Sequence, residues 1–179
     1  MFPEQLGKVN LDQFVEAVNK VTPGLIRTEA DELSYSLHVL IRYEIEKMLI
    51  EEDLDVEKLP QLWADKYEEY LGVRPENPAE GVLQDIHWSQ GSFGYFPSYA
   101  LGSAFGAQLY YHMKEIMDFD GLLREGKVDV IRDYLREHIH QYGKLKDSRQ
   151  ILKDVTGEDF KPEYYVRYLK EKYSAVYGL

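Results

Sequence analysis

Apolar residues recur at helical spacing along most of the chain. A first stripe covers residues 11–18 and ends before the Pro-Gly pair at 23–24. A second keeps the same period from about residue 29 to 50, and a third starts near Pro60 and ends at Gly72. Proline in the first turn and glycine after the last residue are typical of helix ends. This half of the chain is therefore predicted to be helical.

The second half continues the pattern with four further helices. Residues 99–117 are apolar on most faces, which is typical of a central helix. A helix over 128–142, a short one capped by Ser148 and a last one opened by Pro162 follow. No stretch alternates with a period of two, and no internal repeat is present. We expect an all-α protein that forms a single helical unit over residues 1–179.

Composition and charge narrow the possible functions. The chain has 179 residues, of which 44% are hydrophobic, so it can fill the core of one domain. Lys and Arg number 21 against 32 Asp and Glu, giving a net charge of −11. That sign repels phosphate backbones, so we expect no nucleic-acid partner.

The chain has no cysteine, which excludes disulfides and thiolate metal sites. Its first residues lack the charged and apolar regions of a signal peptide, and no apolar run approaches a membrane span. We therefore expect a cytoplasmic protein that does not bind membranes.

The usual metal and nucleophile motifs are missing from the sequence. The five histidines (38, 87, 112, 138 and 140) never form His-Glu-x-x-His. His138 and His140 would point apart on a helix and are better explained as solvent-exposed. There is no Gly-x-Ser-x-Gly and no phosphate-binding loop with a lysine. We expect no metal site in this chain alone.

The segment IRTEAD at 26–31 places Arg27 between a Pro-Gly break and a long helix. An arginine at such a junction can clamp a carboxylate with two hydrogen bonds. The alternative is an ion pair with Glu29 or Asp31 at the start of the helix. The spacing by itself favours that ion pair.

The segment GVLQDIHWSQGSFGYFPSYALG at 81–102 combines glycines, aromatic residues, an aspartate and a histidine. Asp85 can hold one nitrogen of His87 and leave the other for a ligand. Tyr95 and Tyr99 offer hydroxyl groups that can support an oxyanion, and Gly91 and Gly94 permit close approach of backbone. The alternative is a buried loop whose aromatic residues fill the core, and the residues alone do not decide between the two.

The motifs I-R-x-x-A-D (residues 26–31) and G-x-x-Q-D-x-H-W (81–88) resemble two signatures of the carboxypeptidase Taq family of zinc metallocarboxypeptidases. The adjoining segments YSLHVLIRYEIEKMLI and GSFGYFPSYALG resemble that family as well. The resemblance implies a helical fold around a deep groove, a dimer, and release of single residues from peptide C-termini. It also implies zinc, bound in that family by a His-Glu-x-x-His motif and a later glutamate.

The resemblance assigns supporting roles to five residues. Arg27 would bind the terminal carboxylate of a peptide. His87, oriented by Asp85, would bind the substrate or the tetrahedral intermediate, with Tyr95 or Tyr99 as a nearby hydrogen-bond donor.

The zinc motif and its catalytic glutamate are absent from residues 1–179, so the chain resembles roughly the last third of a family member. Three functions follow: an inactive C-terminal fragment, a split peptidase completed by an N-terminal zinc-binding chain, or a non-catalytic module that binds peptide C-termini. In each case helices that lack their packing partners should expose apolar faces, so we expect a homo-oligomer.

Overall fold

The computed structural model describes residues 2–179, and every regular element in that range is helical. The α-helices of the described residues are α1 Pro3–Leu6, α2 Leu11–Val18, α3 Glu32–Glu51, α4 Leu59–Leu71, α5 Pro97–Ile116, α6 Phe119–Arg124, α7 Val128–His138, α8 Ser148–Thr156 and α9 Glu163–Tyr177. Short 3-10 turns lie at Arg27–Glu29, Val56–Lys58, Val82–Gln84, Trp88–Gln90 and His140–Tyr142. The predicted all-α class is confirmed.

The described chain divides into two compact units. One unit comprises the residues up to Ala100 together with Tyr173–Leu179, and the other comprises Leu101–Lys172. That residues 1–179 form a single helical unit of a larger family domain stays a prediction. Among the described residues no helix has the length and apolar character needed to cross a membrane.

The core of the first unit is formed between α3 and α4. Its fully packed members are Ile41, Ile45, Trp63, Tyr67 and Leu71. Helix α4 begins with a proline in its first turn and ends at Gly72, whose φ of 69° is the left-handed conformation that glycine adopts most easily. The predicted bounds of this helix are therefore close to the observed ones.

Helix α3 begins a few residues later than the apolar spacing suggests. Asp31 is its N-cap, and its carboxylate accepts a hydrogen bond from the backbone N–H of Ser34 at 2.9 Å. The same side chain accepts from the N–H of Thr22 at 3.0 Å, which ties the preceding loop to the helix. Because of this cap the first residue of α3 is Glu32, and Arg27 lies in a separate 3-10 turn.

Helix α2 is amphipathic but buries no residue. Asn10 and Gln13 form a capping box at its start. Its apolar face remains in contact with solvent: the exposed fractions are 74% for Leu11, 42% for Phe14, 37% for Val15 and 62% for Val18. The sequence predicts this helix correctly, but the described chain leaves much of its apolar face exposed.

In the second unit four sequence expectations need correction. Helix α6 was not anticipated, and α7 ends at His138 because Ile139 leaves the helical conformation with φ −128° and ψ −63°. Asp147, not Ser148, caps α8, and it accepts from the N–H groups of Arg149 and Gln150. His140 is exposed as expected, whereas His138 is partly buried against Tyr134, with ring centroids 4.4 Å apart.

Candidate functional site

Asp85 lies between two arginines in the first unit. Its Oδ1 accepts from Arg27 Nη2 at 2.8 Å and from Arg27 Nε at 3.3 Å. Its Oδ2 accepts from Arg42 Nε at 2.5 Å. The carboxylate thus joins three segments that are distant in sequence: the 3-10 turn at Arg27–Glu29, helix α3 and the loop after Gly81.

Arg27 is 7% exposed and is held on several sides. Its Nη1 donates to Tyr35 Oη at 3.0 Å, and its guanidinium carbon lies 4.8 Å from the ring centroid of Tyr99. Asp85 takes the side formed by Nε and Nη2. A guanidinium has five N–H groups, so one on Nη1 and one on Nη2 have no acceptor among the described residues.

Arg42 is fully buried behind Asp85. Its Nη1 donates to the His38 carbonyl oxygen at 2.8 Å and to Tyr67 Oη at 3.0 Å. Its guanidinium carbon also lies 4.5 Å from the ring centroid of Trp63. Hydrogen bonds and stacking therefore fix this side chain in one orientation.

A buried polar row on α3 carries these contacts. Its members recur at every fourth position and are at most 5% exposed: Ser34, His38, Arg42 and Glu46. Glu46 accepts from the indole N–H of Trp88 at 2.8 Å, which anchors the second motif to α3. Because residues four apart lie on one face of a helix, the row presents a polar stripe to residues 81–88, the loop that carries the second motif and is called the motif loop below.

His87 lies beside this centre and packs on aromatic rings. Its Nε2 lies 3.1 Å from Tyr99 Oη, and its ring centroid lies 4.4 Å from that of Phe96. Its Nδ1 is buried, has no hydrogen-bond partner among the described residues, and lies 3.7 Å from Asp85 Oδ1. That distance is too long for a hydrogen bond. The expectation that Asp85 orients His87 is therefore not met, because both arginines occupy the carboxylate and Tyr99 contacts the imidazole instead.

Tyr95 lies at the exposed rim of the same cluster. It is 52% exposed, and its ring centroid lies 5.8 Å from that of His87. Gly91 and Gly94 have φ of 73° and 75°, so both glycines are explained by left-handed turns without a ligand. A Cβ on Gly81 would lie 3.3 Å from Trp63 Cδ1, so this glycine permits close packing of the loop on α4.

Electrostatics follow from burial and from the two arginines. Burial raises the pKa of Asp85, but the hydrogen bonds and charges of Arg27 and Arg42 outweigh it, so this pKa lies below its ordinary value. Burial, with the nearby charge of Arg42, lowers the pKa of His38 to about 4. Asp85 is therefore ionised and His38 neutral at neutral pH.

The ion pair that spacing favoured for Arg27 is wrong. Asp31 is occupied as the cap of α3, and Glu29 is exposed. Arg27 instead binds Asp85, which is 58 residues away in sequence. Of the predicted site residues, the fold brings Arg27, Asp85, His87 and Tyr99 together and leaves Tyr95 at the edge.

Sequence reasoning missed Arg42 with its partners His38 and Tyr67, and it missed Tyr35, which accepts from Arg27. A signal was present: polar residues at every fourth position of a helix whose other positions are largely apolar. Such a row predicts a buried polar contact, but it does not identify Asp85 as the partner.

Zinc, implied by the family resemblance, finds no ligand set in the described chain. Between residues 2 and 179 no three His, Asp or Glu side chains converge as a metal site would require. Asp85 is already shared by two arginines, which oppose cation binding there. The described residues therefore do not fit a metal ion.

The two motifs and the helical fold are typical of one protein family, and comparison with known proteins identifies that family. Residues 1–173 match the model of the carboxypeptidase Taq (M32) metallopeptidase family. The chain is 49% identical to carboxypeptidase 1 of Bacillus subtilis over 99% of its own length, and 46% identical to thermostable carboxypeptidase 1 of Pyrococcus furiosus over 87%. It superposes on the M32 carboxypeptidase of Deinococcus radiodurans with a TM-score of 0.93 at 34% identity, covering 99% of this chain and 36% of that one.

The chain belongs to the carboxypeptidase Taq (M32) metallopeptidase family, as its two motifs indicate. It spans about a third of the length of these relatives: 36% of the Bacillus protein and 31% of the Pyrococcus protein.

Proposed function

We propose that this chain is the C-terminal, substrate-binding part of a zinc carboxypeptidase and that it binds the free carboxylate of a peptide C-terminus. The unused N–H groups on Nη1 and Nη2 of Arg27 carry the proposal. A guanidinium N–H forms a strong, charge-assisted hydrogen bond with a carboxylate oxygen. The low exposure of Arg27 strengthens this ionic hydrogen bond relative to one in water.

The neighbouring residues complete the binding site. His87 lies beside Tyr99, which contacts both the Arg27 guanidinium and the His87 imidazole. Tyr95 offers an exposed hydroxyl at the rim. Asp85 fixes Arg27 and does not itself contact the peptide in this proposal, because a second carboxylate would be repelled.

Peptide hydrolysis belongs to the complete family enzyme in this proposal. Zinc, when bound by residues of the remaining two-thirds of the family fold, would supply the activated water. This chain alone would recognise peptide C-termini without cleaving them.

The test compares one peptide in two forms, with a free C-terminal carboxylate and as the C-terminal amide. We expect the wild-type chain to bind the acid form more tightly, as measured by isothermal titration calorimetry. Arg27→Gln should weaken binding of the acid by at least about tenfold and leave the amide unchanged, because a charged hydrogen bond contributes about 1.5–3 kcal/mol. Glutamine retains a donor for Asp85.

Arg74→Gln is the matched control. Arg74 also binds carboxylates, Asp65 and Glu68, but at the surface of α4. This variant should keep the wild-type preference for the acid. Equal binding of acid and amide by the wild type, or an unchanged preference in Arg27→Gln, would contradict the proposal.

The proposed partners follow from the exposed apolar face of α2. We propose that this face is covered by the missing two-thirds of the family fold in a complete enzyme and by a second copy when the chain is alone. Its apolar residues support this, since contiguous exposed apolar surface is typical of interaction sites.

A further inference from the structure

Arg42 lies outside both motifs, yet it contacts Asp85 in the proposed carboxylate site. Its Nε donates to Asp85 Oδ2 at 2.5 Å, while Asp85 Oδ1 accepts from Arg27. Asp85 therefore links a buried arginine to the arginine proposed to bind the peptide. The following inference rests on that proposed function.

Buried residues of α4 fix the position of the Arg42 side chain. Its side chain is 0% exposed, and its guanidinium lies against Trp63 and donates to Tyr67 on α4. A rigid donor of this kind fixes the carboxylate that it binds. With Oδ2 held by Arg42, Oδ1 makes the shorter contacts with Arg27, at 2.8 and 3.3 Å, whereas Arg27 Nε lies 3.5 Å from Oδ2.

The charges of the three groups do not cancel. Two arginines and one aspartate give a net charge of +1, and Asp85 is the carboxylate within ion-pair distance of either arginine among the described residues. Nη2 of Arg42 is buried and has no hydrogen-bond partner there. Among the other ionisable neighbours, which include His87 with its Nδ1 3.7 Å from Asp85 Oδ1, His38 and Tyr67 are neutral at neutral pH, since burial first of all lowers the pKa of His38 and raises that of Tyr67.

The excess charge matters for ligand binding. An Arg27–Asp85 pair by itself would be neutral, and Asp85 would compete with an incoming carboxylate for the same guanidinium. With Arg42 present, the cluster becomes neutral only when a singly charged anion binds.

We propose that Arg42 is a positioning residue for the peptide carboxylate: it holds Asp85 from behind and offsets its charge, so that Arg27 is oriented but remains electrostatically available to the ligand. Arg42 does not touch the peptide. Its action passes through Asp85.

The experiment uses the full chain, the peptide acid and amide pair, and the variants Arg42→Met and Arg42→Met/Asp85→Asn. Arg42→Met leaves the Arg27–Asp85 pair neutral, so the preference for the acid should fall about tenfold. In the double variant the amide oxygen introduced by Asp85→Asn can still accept from Arg27, and the net charge returns to +1. The acid preference should therefore recover to near the wild-type value. Loss of packing alone would not be repaired by a second substitution.

Carbon-detected NMR titration of the Asp85 carboxyl provides a readout that needs no peptide. Its pKa should be higher in Arg42→Met than in the wild type, whereas Arg74→Met should leave it unchanged. If Arg42→Met alone does not fold, the double variant decides, because it lacks the buried carboxylate that has lost one of its two arginine partners and must retain the acid preference.

Three outcomes distinguish a failure of the proposed function from a failure of the role assigned to Arg42. A wild type without acid preference overturns the proposed function, and the NMR titration then still shows whether Arg42 controls Asp85. An Arg42→Met variant with wild-type acid preference overturns the role of Arg42 alone. A double variant that folds but does not recover the preference also overturns that role.

Discussion

Helices α2 and α3 of the first unit place their side chains in opposite ways. Helix α3 buries a polar row, with Ser34, His38, Arg42 and Glu46 at most 5% exposed. Helix α2 exposes an apolar face, on which Leu11 is 74% and Val18 is 62% exposed. Both arrangements depart from the ordinary rule of apolar interior and polar surface.

The difference between them lies in where the partners are. The polar row finds hydrogen-bond partners within the described chain, above all Asp85, Tyr67 and the indole of Trp88. The apolar face of α2 finds no comparable partner there, since the helix buries no residue. A buried polar group is costly unless most of its polar atoms find partners, whereas an exposed apolar face can be covered later by another chain.

The largest effect on the free energy of unfolding is expected when Asp85, the anion between Arg27 and Arg42, is removed. Asp85→Ala leaves Arg27 and Arg42 buried without a counter-ion, so the free energy of unfolding should fall by about 3–5 kcal/mol. Urea denaturation followed by circular dichroism measures this change. Asp65→Ala is the control, because Asp65 also pairs with an arginine but has 53% of its side chain exposed. A similar loss of unfolding free energy in the two variants would contradict the expectation that the buried Asp85 contributes more to stability than the exposed Asp65.

A smaller effect is expected on the pH dependence of the free energy of unfolding, and it tests whether His38 in the polar row is uncharged at neutral pH. The pKa of His38 is lowered from 6.5 to about 4, first by burial. Between those values the unfolded chain binds a proton that the folded chain does not. Acidification through this window should therefore lower the free energy of unfolding by about 3 kcal/mol, all of it regained above pH 6.5.

The matched variants for this test are His38→Gln and His140→Gln. The first should flatten the pH dependence between about 4 and 6.5, because it removes the titrating group. The second should keep it, because His140 is exposed. Asp85 does not interfere in this window, since its lowered pKa affects stability only at more acidic pH. An unchanged slope in His38→Gln would contradict the assignment.

The smallest effect on stability is expected on α2. Val18→Ser should change the free energy of unfolding of the isolated chain by less than about 0.5 kcal/mol, since the side chain is already in solvent. The same substitution should reduce self-association, measured by sedimentation velocity over a range of concentrations. A large loss of stability without a change in association would show that α2 is covered within one chain.

Local signals in the sequence predict most of the helices but few of the site contacts. The stripe at 11–18 and the Pro60–Gly72 segment give helices close to those observed, because periodicity and end signals are local. The caps at Asp31 and Asp147 and the short helix α6 were missed, because they depend on single backbone hydrogen bonds. Arg27 and His87 were selected through their motifs, and their partners were not.

The sequence by itself determined that this chain is helical, carries two family motifs and has no cysteine, since each is a property of nearby residues or of composition. Only the tertiary structure decided that Asp85 serves Arg27 and Arg42 rather than His87. Those partners lie 58 and 43 residues from Asp85. Contacts at such separation depend on how α3 packs against the motif loop, and local spacing offers Arg27 two other carboxylates, Glu29 and Asp31. Burial selects among them, because the two guanidinium groups enclosed in this unit require an anion that is enclosed with them.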